Sequence, residues 1–198
     1  CYAFHNNGRG LAQKGDDFTY AQHGLNLRMT EFQARLLATQ MTRIEAQAKK
    51  RTENALYLTS LLREIPGIRP ARMYEGCTRN AYHLYMLRYD PAHFDGLPRA
   101  AFLKALRAEG LPGARGYTPL NQEKFLQQTF AGRGFQRIFG TARLAEWNRK
   151  NHCPANDQLC EEAVWFTQNM LIGPRGDVDQ IAEAIRKIRK NAAALGKA

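Results

Sequence analysis

The sequence contains no apolar run long enough to cross a bilayer, and no secretory signal peptide opens it. Its four cysteines have neither the paired spacing of a disulfide-rich secreted domain nor that of a zinc ribbon. His152 and Cys153, with Cys160 beyond them, could ligate a metal in principle, but neither a C-x-x-C nor an H-x-x-x-H spacing is present. We therefore expect a cytoplasmic protein with reduced thiols, no metal site and no contact with a membrane.

An initiating methionine is also absent, because the chain opens at Cys1 in the middle of a pattern. We interpret the sequence as a fragment whose N-terminal part is missing. Its 198 residues are nevertheless enough to bury a substantial core, and they suggest one domain or one and a half.

Acidic residues are few relative to basic ones, which leaves a net charge of +11. This balance favours an anionic partner such as nucleic acid, a phosphorylated metabolite or an acidic neighbouring protein. The cations are dispersed, however. The two densest groups, residues 49–51 and 186–190, fall within helical patterns, which is typical of solvated helix faces.

Residues 24–33, GLNLRMTEFQ, separate an aperiodic opening from the longest helical pattern in the chain. Thr30 is a suitable N-cap, and Gln33 stands where a capping box places its reciprocal partner. Asn26 and Arg28 are therefore expected just outside the positive end of a helix, a position that favours anions. A well-capped helix with a polar lead-in and no ligand is the alternative that these residues leave open.

Helical spacing of apolar residues continues from residue 30 to about residue 64, and Pro66-Gly67 ends it. An unbroken helix of this length would be roughly 50 Å long, which is more than one small domain needs. We expect it to run between two bodies.

The next part of the chain has the pattern of a small α+β layer. Residues 68–74 and 81–89 are rich in aromatic and aliphatic side chains and predict two strands. Residues 98–109 predict a helix that ends at Gly110, and 113–117 predict a short third strand. This order describes an open sheet with helices on one face.

The two ends of the chain and its middle give weaker patterns. Residues 1–25 are expected to be a loop with at most a short strand at 2–4, and residues 121–158 give no clear assignment. Residues 157–169 predict a short helix that runs into an apolar segment. The last helix is expected to begin with Asp177 as its N-cap.

Residues 24–34, GLNLRMTEFQA, closely resemble the G-x-N-x-R-M-T-E-x-Q-A signature of the DegT/DnrJ/StrS aminotransferases. These are pyridoxal-phosphate enzymes that aminate keto-sugars and related cyclic ketones. Further pieces match in the right order along nearly the whole chain. They are residues 4–9 (FHNNGR), Arg51-x-x-Asn54-Ala55-x-x-Leu58, residues 81–85 (AYHLY), Leu106-x-x-Glu109-Gly110, residues 117–120 (YTPL) and residues 163–168 (AVWFTQ).

The resemblance implies the C-terminal part of an α/β pyridoxal-phosphate-dependent transferase of fold type I. Residues 1–29 would close the large cofactor-binding domain, 30–66 would form a long interdomain helix, and 67–198 would form the small C-terminal α+β domain. The family's cofactor-binding lysine lies upstream of the matching opening segment, and Lys14 does not fit its motif. No catalytic residue is therefore expected in this chain, which would not be active alone.

The resemblance also implies roles for three residues in a homodimer with shared active sites. Asn26 would bind the phosphate of pyridoxal 5′-phosphate across the dimer interface. Arg28 would bind a substrate carboxylate or phosphate, for which a guanidinium is a natural partner. Tyr117 would face the substrate, with a packed strand-end aromatic as the alternative. Many relatives have histidine just before this tyrosine, whereas this chain has Gly116.

The resulting hypothesis is the transfer of an amino group from glutamate or glutamine to a keto-sugar or cyclitol ketone. Two alternatives remain. One is a basic nucleic-acid-binding module built on the +11 charge, although no helix-turn-helix, RNP or zinc-finger pattern is present. The other is a catalytically silent regulatory homologue of the family.

Overall fold

The structure is a computed structural model that describes residues 2–9 and 22–196. The chain divides into two compact units, residues 1–46 and 47–198. No helix in the described ranges is both long and apolar enough to span a bilayer. Lys14, which does not fit the family's lysine motif, lies outside the described residues.

The first unit contains helix α1 (Tyr2–His5) and helix α2 (Glu31–Met41). The prediction of a strand at residues 2–4 is wrong, because the amides of Asn6 and Gly8 both donate to the carbonyl of Ala3 and close a helical turn there. Strand-like pairing begins just after this turn, where Asn6 forms an isolated antiparallel bridge with Asn26.

The prediction of one unbroken helix over residues 30–66 is also wrong. Helix α2 ends at Met41, and helix α3 (Ile44–Arg63) begins after a turn at Thr42 and Arg43. The Thr42 hydroxyl donates to the carbonyl three residues earlier at 2.8 Å. Arg43 donates its amide to the Gln40 carbonyl at 3.0 Å and its guanidinium to Gln40 Oε1 at 2.7 Å. Such local side-chain bonds compete with the helical ladder and explain the break.

The second unit is built on a four-stranded antiparallel sheet with the spatial order β1-β2-β4-β3. The strands are β1 (Ile68–Pro70), β2 (Leu84–Tyr89), β3 (Ala114–Arg115) and β4 (Ala163–Thr167). The three predicted strands are present but shorter than expected. The fourth is the apolar segment that was predicted to follow a helix, and it pairs Tyr85 with Phe166 in the middle of the sheet.

The second unit also contains the helices that accompany this sheet along the chain. Besides α3 they are α4 (Arg99–Ala108), α5 (Lys124–Ala131), α6 (Arg133–Phe139), α7 (Thr141–Lys150), α8 (Pro154–Glu162), α9 (Arg175–Lys190) and α10 (Ala192–Leu195), with short 3-10 turns at Pro91–His93, Leu120–Gln122 and Gln168–Leu171. Tyr85, Leu87 and Tyr89 are buried on alternate positions of β2, as one-sided burial requires. They belong to one core with residues of α3, α4 and α9, including Leu58, Phe102 and Ile181.

One helical assignment differs from the sequence-based expectation, and one region without a prediction is helical. Helix α9 begins at Arg175, and its N-cap is Pro174. The prediction that Asp177 is the N-cap is therefore wrong. The fixed φ of proline suits a helix start. Asp177 instead lies in the first turn of α9, where its carboxylate interacts favourably with the helix dipole. Residues 121–158 form short helices separated at Gly132 and Gly140, and such short pieces leave no sustained periodicity to read.

Candidate functional site

The turn that leads into α2 is a capping box, as the sequence predicted. Thr30 Oγ1 accepts a hydrogen bond from the Gln33 amide at 3.4 Å, and Gln33 Oε1 accepts one from the Thr30 amide at 2.9 Å. These two bonds satisfy amides that have no partner within the helix. The start of α2, and with it the segment just before it, is therefore fixed locally.

Asn26 and Arg28 lie in that preceding segment, and both are exposed. The structure brings their side chains together, because Arg28 Nε donates to Asn26 Oδ1 at 3.0 Å. Within residues 2–9 and 22–196, no hydrogen bond uses Asn26 Nδ2 or the two terminal nitrogens of Arg28. The NH₂ group of Asn26 and the terminal nitrogens of Arg28 are thus hydrogen-bond donors for a ligand, which suits an anion.

The backbone around Asn26 is held by the opening segment of the chain. The Leu25 amide donates to the Phe4 carbonyl at 2.8 Å, and the Leu27 amide donates to the His5 carbonyl at 2.9 Å. These bonds lie on both sides of Asn26. Two segments that were matched separately to the family thus form one structural element.

Gly24 also belongs to this element, and the sequence did not indicate what Gly24 contributes. A Cβ atom at residue 24 would lie 2.3 Å from the Gly8 amide nitrogen and 2.6 Å from the Phe4 carbonyl oxygen. Gly8 itself has a φ of +82°. Only glycine allows the two segments to approach this closely. The signal was available in the sequence, since Gly24 is the first residue of the matched signature.

Tyr117 belongs to the second unit, where it follows β3. It is 77% exposed, and one side of its ring packs edge-on against Trp165 of β4 with ring centroids 5.2 Å apart. It is therefore anchored by its neighbour and still open to a ligand. The contribution of Trp165 was missed, because nothing local in the sequence pairs it with Tyr117.

Gly116 precedes this tyrosine and lies close to β4. Its amide donates to the Ala163 carbonyl at 3.1 Å, and a Cβ atom at residue 116 would lie 2.7 Å from Ala163 Cβ. A histidine at this position would push β3 and β4 apart. The glycine at residue 116, where the resemblance leads us to expect histidine, is thus consistent with the short distance between this residue and Ala163.

Arg51 and Asn54, which also match the family, have structural contacts in this chain. Arg51 donates to the Ala81 carbonyl at 3.2 Å and to Gln168 Oε1 at 3.3 Å. Asn54 is buried and donates to the carbonyls that precede α9. These two side chains fix the connection between β4 and α9 and contact no predicted site residue.

The basic groups of the second unit are partly neutralised by neighbours. Arg186 pairs with Glu64 at 3.1 Å, and Lys187 pairs with Glu109 at 2.8 Å. A cleft of about 470 Å³ lies beside Arg186, and it includes none of the predicted site residues. The described residues contain no cluster of three His, Cys, Asp or Glu side chains that could hold a metal.

The sequence profile of the DegT/DnrJ/EryC1/StrS aminotransferase family matches residues 1–186 of the chain. A putative L-glutamine:3-amino-2,3-dideoxy-scyllo-inosose aminotransferase from Streptoalloteichus tenebrarius is 33% identical over 191 residues, which are 94% of this chain and 45% of that protein. The L-glutamine:scyllo-inosose aminotransferase of Streptomyces griseus is 29% identical over 183 residues, 92% of this chain and 42% of that protein. The chain thus spans less than half the length of these relatives.

Solved structures show the same fold. The crystal structure of 3-amino-5-hydroxybenzoic acid synthase matches 100% of this chain and 46% of that one, with a TM-score of 0.69 and 23% identity. The aminotransferase PseC of Helicobacter pylori matches 96% of this chain and 45% of that one, with a TM-score of 0.64 and 18% identity. The predicted fold class, part of an α/β transferase of fold type I, is confirmed.

Proposed function

The chain belongs to the DegT/DnrJ/EryC1/StrS aminotransferase family, and on this premise we propose that it forms the C-terminal part of a cytoplasmic aminotransferase that aminates a cyclitol ketone or keto-sugar. The names of its relatives favour L-glutamine as amino donor and an inosose, a cyclitol ketone, as acceptor. In this proposal residues 1–29 complete a large domain, and residues 67–198 form the small domain. The observation that carries the proposal is the exposed Asn26–Arg28 donor pair.

Pyridoxal 5′-phosphate is the cofactor that we propose, and the donor set of this chain fits its phosphate. The Asn26 amide and the Arg28 guanidinium together offer several N–H donors, which are the complement of a phosphate dianion. When bound, pyridoxal phosphate supplies the electron sink on which amino transfer depends. Asn26 would hold its phosphate, and the backbone bonds around residue 26 would keep that donor in place.

Arg28 and Tyr117 are proposed to act on the substrate. The terminal nitrogens of Arg28 can bind a carboxylate or phosphate in a two-pronged geometry. Tyr117 offers an exposed ring face and a hydroxyl, and its edge contact with Trp165 limits the orientations of the ring. Both residues would therefore bind and orient substrate, while the proton transfers would depend on the lysine that the resemblance places outside this chain.

We also propose that a second copy of the chain covers helix α2. None of the residues of α2 is buried, and Phe32, Leu36 and Met41 are 92%, 64% and 64% exposed. Exposed apolar surface of this kind is typical of an interaction site. A homodimer would bury it and bring Asn26 to the cofactor of the partner subunit.

The oligomeric state of the full-length protein tests this part of the proposal. Wild-type protein should be a dimer by light scattering, and Phe32→Ser should raise its dissociation constant at least about tenfold, since a buried aromatic contributes more than 1.4 kcal/mol. Ile138→Ser is the matched control, because Ile138 is 73% exposed on α6 and is not part of the proposed interface. A monomeric wild type, or equal effects of both substitutions, would refute the role of α2.

The reaction itself is tested with the full-length protein and pyridoxal phosphate. Binding should produce the absorbance of a lysine-bound cofactor, and L-glutamine with scyllo-inosose should yield an amino-cyclitol by mass spectrometry. Cofactor binding without turnover on any cyclitol ketone or keto-sugar would support the silent homologue. A complex with nucleic acid whose affinity falls steeply with salt, in the absence of cofactor binding, would support the nucleic-acid-binding module.

A further inference from the structure

We propose that Arg28 is a positioning residue for Asn26, whose amide it turns so that the nitrogen rather than the oxygen faces the bound anion. The inference rests on the proposed function, since the anion is the cofactor phosphate. In this proposal Arg28 contributes to phosphate binding by orienting Asn26, in addition to its proposed contact with substrate.

The argument begins with the two faces of an asparagine amide. One side carries an oxygen that accepts hydrogen bonds, and the other carries an NH₂ group that donates them. An exposed asparagine can exchange these sides by a half-turn of its amide. A phosphate attracts the NH₂ side and repels the oxygen, so only one of the two orientations binds it.

Arg28 selects that orientation because a guanidinium has donors and no acceptor. Its Nε lies 3.0 Å from the Asn26 side chain, and at this distance only Oδ1 can face it. The half-turn would place an NH₂ group against an N–H group, which is repulsive. With Oδ1 engaged by Arg28, the Nδ2 hydrogens lie on the other side of the amide and remain available.

The backbone bonds described above make this selection effective. The amides of Leu25 and Leu27 fix the main chain on both sides of Asn26, so its side-chain torsions are the freedom that remains. The bond from Arg28 removes that freedom before the ligand arrives. Pre-organisation of this kind increases affinity by reducing the entropy lost on binding.

An independent role for Arg28, as a cation that attracts the anion directly, makes a different prediction. In that case the effect of substituting Arg28 does not depend on residue 26. If Arg28 acts through Asn26, its effect disappears once Asn26 has been removed. A double-mutant cycle therefore separates the two roles.

The test uses the full-length holoenzyme and four variants: Arg28→Lys, Asn26→Ala, the double variant, and Arg43→Lys as control. Lysine retains the charge but lacks the Nε–H of the fork. Arg43 is a matched control, because it is another exposed arginine of the same unit that donates to an amide oxygen, that of Gln40 at 2.7 Å. Dissociation constants are measured by absorbance for pyridoxal phosphate and for pyridoxal, which has no phosphate.

We expect Arg28→Lys to weaken the binding of pyridoxal phosphate about three- to tenfold, the range for loss of one ordinary hydrogen bond. In the Asn26→Ala background the same substitution should have no further effect, and the affinity for pyridoxal should stay unchanged throughout. Arg43→Lys should match the wild type. An equal effect of Arg28→Lys in both backgrounds, no effect in either, or an equal loss of pyridoxal affinity would overturn the inference.

Failure of the proposed function has a separate signature. A wild-type protein that binds pyridoxal phosphate no better than pyridoxal would show that no residue of this chain holds the phosphate. A wild type that binds neither compound would refute the cofactor itself. In both cases the proposed function fails before the comparison of variants begins, and the inference fails with it.

Discussion

The side-chain nitrogen of Asn54 lies 2.8 Å from the carbonyl oxygen of Leu171 and donates a hydrogen bond to it. The same nitrogen donates to the Gly173 carbonyl at 2.9 Å, and Asn54 is only 2% exposed. One side chain of α3 thus satisfies two backbone acceptors where the chain passes from β4 to α9. Since buried acceptors without donors are costly, this contact is expected to stabilise the second unit.

Asn54→Ala should therefore lower the free energy of unfolding by about 2–3 kcal/mol, because it leaves two carbonyl groups without their donor. Urea denaturation at pH 7 measures this change. Asn156→Ala is the control, since Asn156 is exposed on α8 and its substitution should change stability by no more than about 0.5 kcal/mol. Equal effects of the two substitutions would show that the buried contact contributes nothing.

Gly24→Ala should disrupt the element that holds Asn26. The added Cβ would lie 2.3 Å from the Gly8 amide nitrogen, and this backbone cannot move without loss of the bonds around residue 26. We expect a loss of about 1–3 kcal/mol in stability and faster release of pyridoxal phosphate during dialysis of the full-length holoenzyme.

Gly176→Ala is the corresponding control for Gly24→Ala. Gly176 lies in α9, and a Cβ there would have no neighbour within 4 Å. Alanine should be neutral or stabilise the helix by up to about 1 kcal/mol, without any effect on cofactor release. Normal cofactor retention in Gly24→Ala would show that the close approach of the two segments is not needed.

The parts of this structure that the sequence predicted correctly depend on contacts between residues close in the chain. The capping box links residues three positions apart, so Thr30 and Gln33 were sufficient to predict it. The strands of the sheet follow from runs of aromatic and aliphatic residues. Asn26 and Arg28 were found together because they share one short motif, although their mutual hydrogen bond could not be seen in it.

The features that the sequence did not predict depend on contacts between distant residues or on weak local competition. Trp165 supports Tyr117, and Asn54 supports the start of α9, through contacts that no periodicity reveals. The break after α2 depends on hydrogen bonds of Thr42 and Arg43, residues that are individually compatible with a helix. The homodimer, the cofactor contact of Asn26 and the substrate contacts of Arg28 and Tyr117 stay predictions.

Glu162, at the end of α8, should make the stability of the second unit depend on pH. Burial raises the pKa of its carboxyl group, but hydrogen bonds from Arg88 and Gln158 and the charges of Arg88 and Arg69 outweigh burial and hold the pKa below its ordinary value. Arg88 Nε lies 2.6 Å and Arg69 Nη2 lies 3.1 Å from its Oε2. The folded state therefore favours the ionised carboxylate.

Because the folded pKa is lower than the unfolded one, which is about 4.3, the stabilisation is present above that value and is lost as the pH falls through the folded pKa. Glu162→Gln should lower the free energy of unfolding by about 1 kcal/mol at pH 7, and the difference from wild type should shrink below about pH 4. Urea titrations at several pH values measure it. Glu161→Gln, at an exposed position next to it, should show no such trend, and a constant difference for Glu162→Gln would contradict the argument.

Gly116→His would introduce the histidine that the resemblance to the family leads us to expect before the tyrosine, and we expect it to be harmful in this chain. Its Cβ would lie 2.7 Å from Ala163 Cβ. A Cβ atom can move only with its backbone, so the two chain segments would have to move apart. The pairing of β3 with β4 should weaken, with a loss of about 1–3 kcal/mol in stability, and Tyr117 should lose its contact with Trp165. The KM for the cyclitol ketone should rise accordingly if Tyr117 contacts substrate.

Ala163→Gly tests the steric cause of that loss, because it removes the opposing Cβ. Alone it should cost about 1 kcal/mol, the usual penalty for glycine in a strand, but combined with Gly116→His it should recover part of the lost stability. The two substitutions should therefore couple by at least about 1 kcal/mol in a double-mutant cycle measured by urea denaturation. Strictly additive effects would mean that the contact between residues 116 and 163 does not restrict position 116. The missing histidine would then need another explanation.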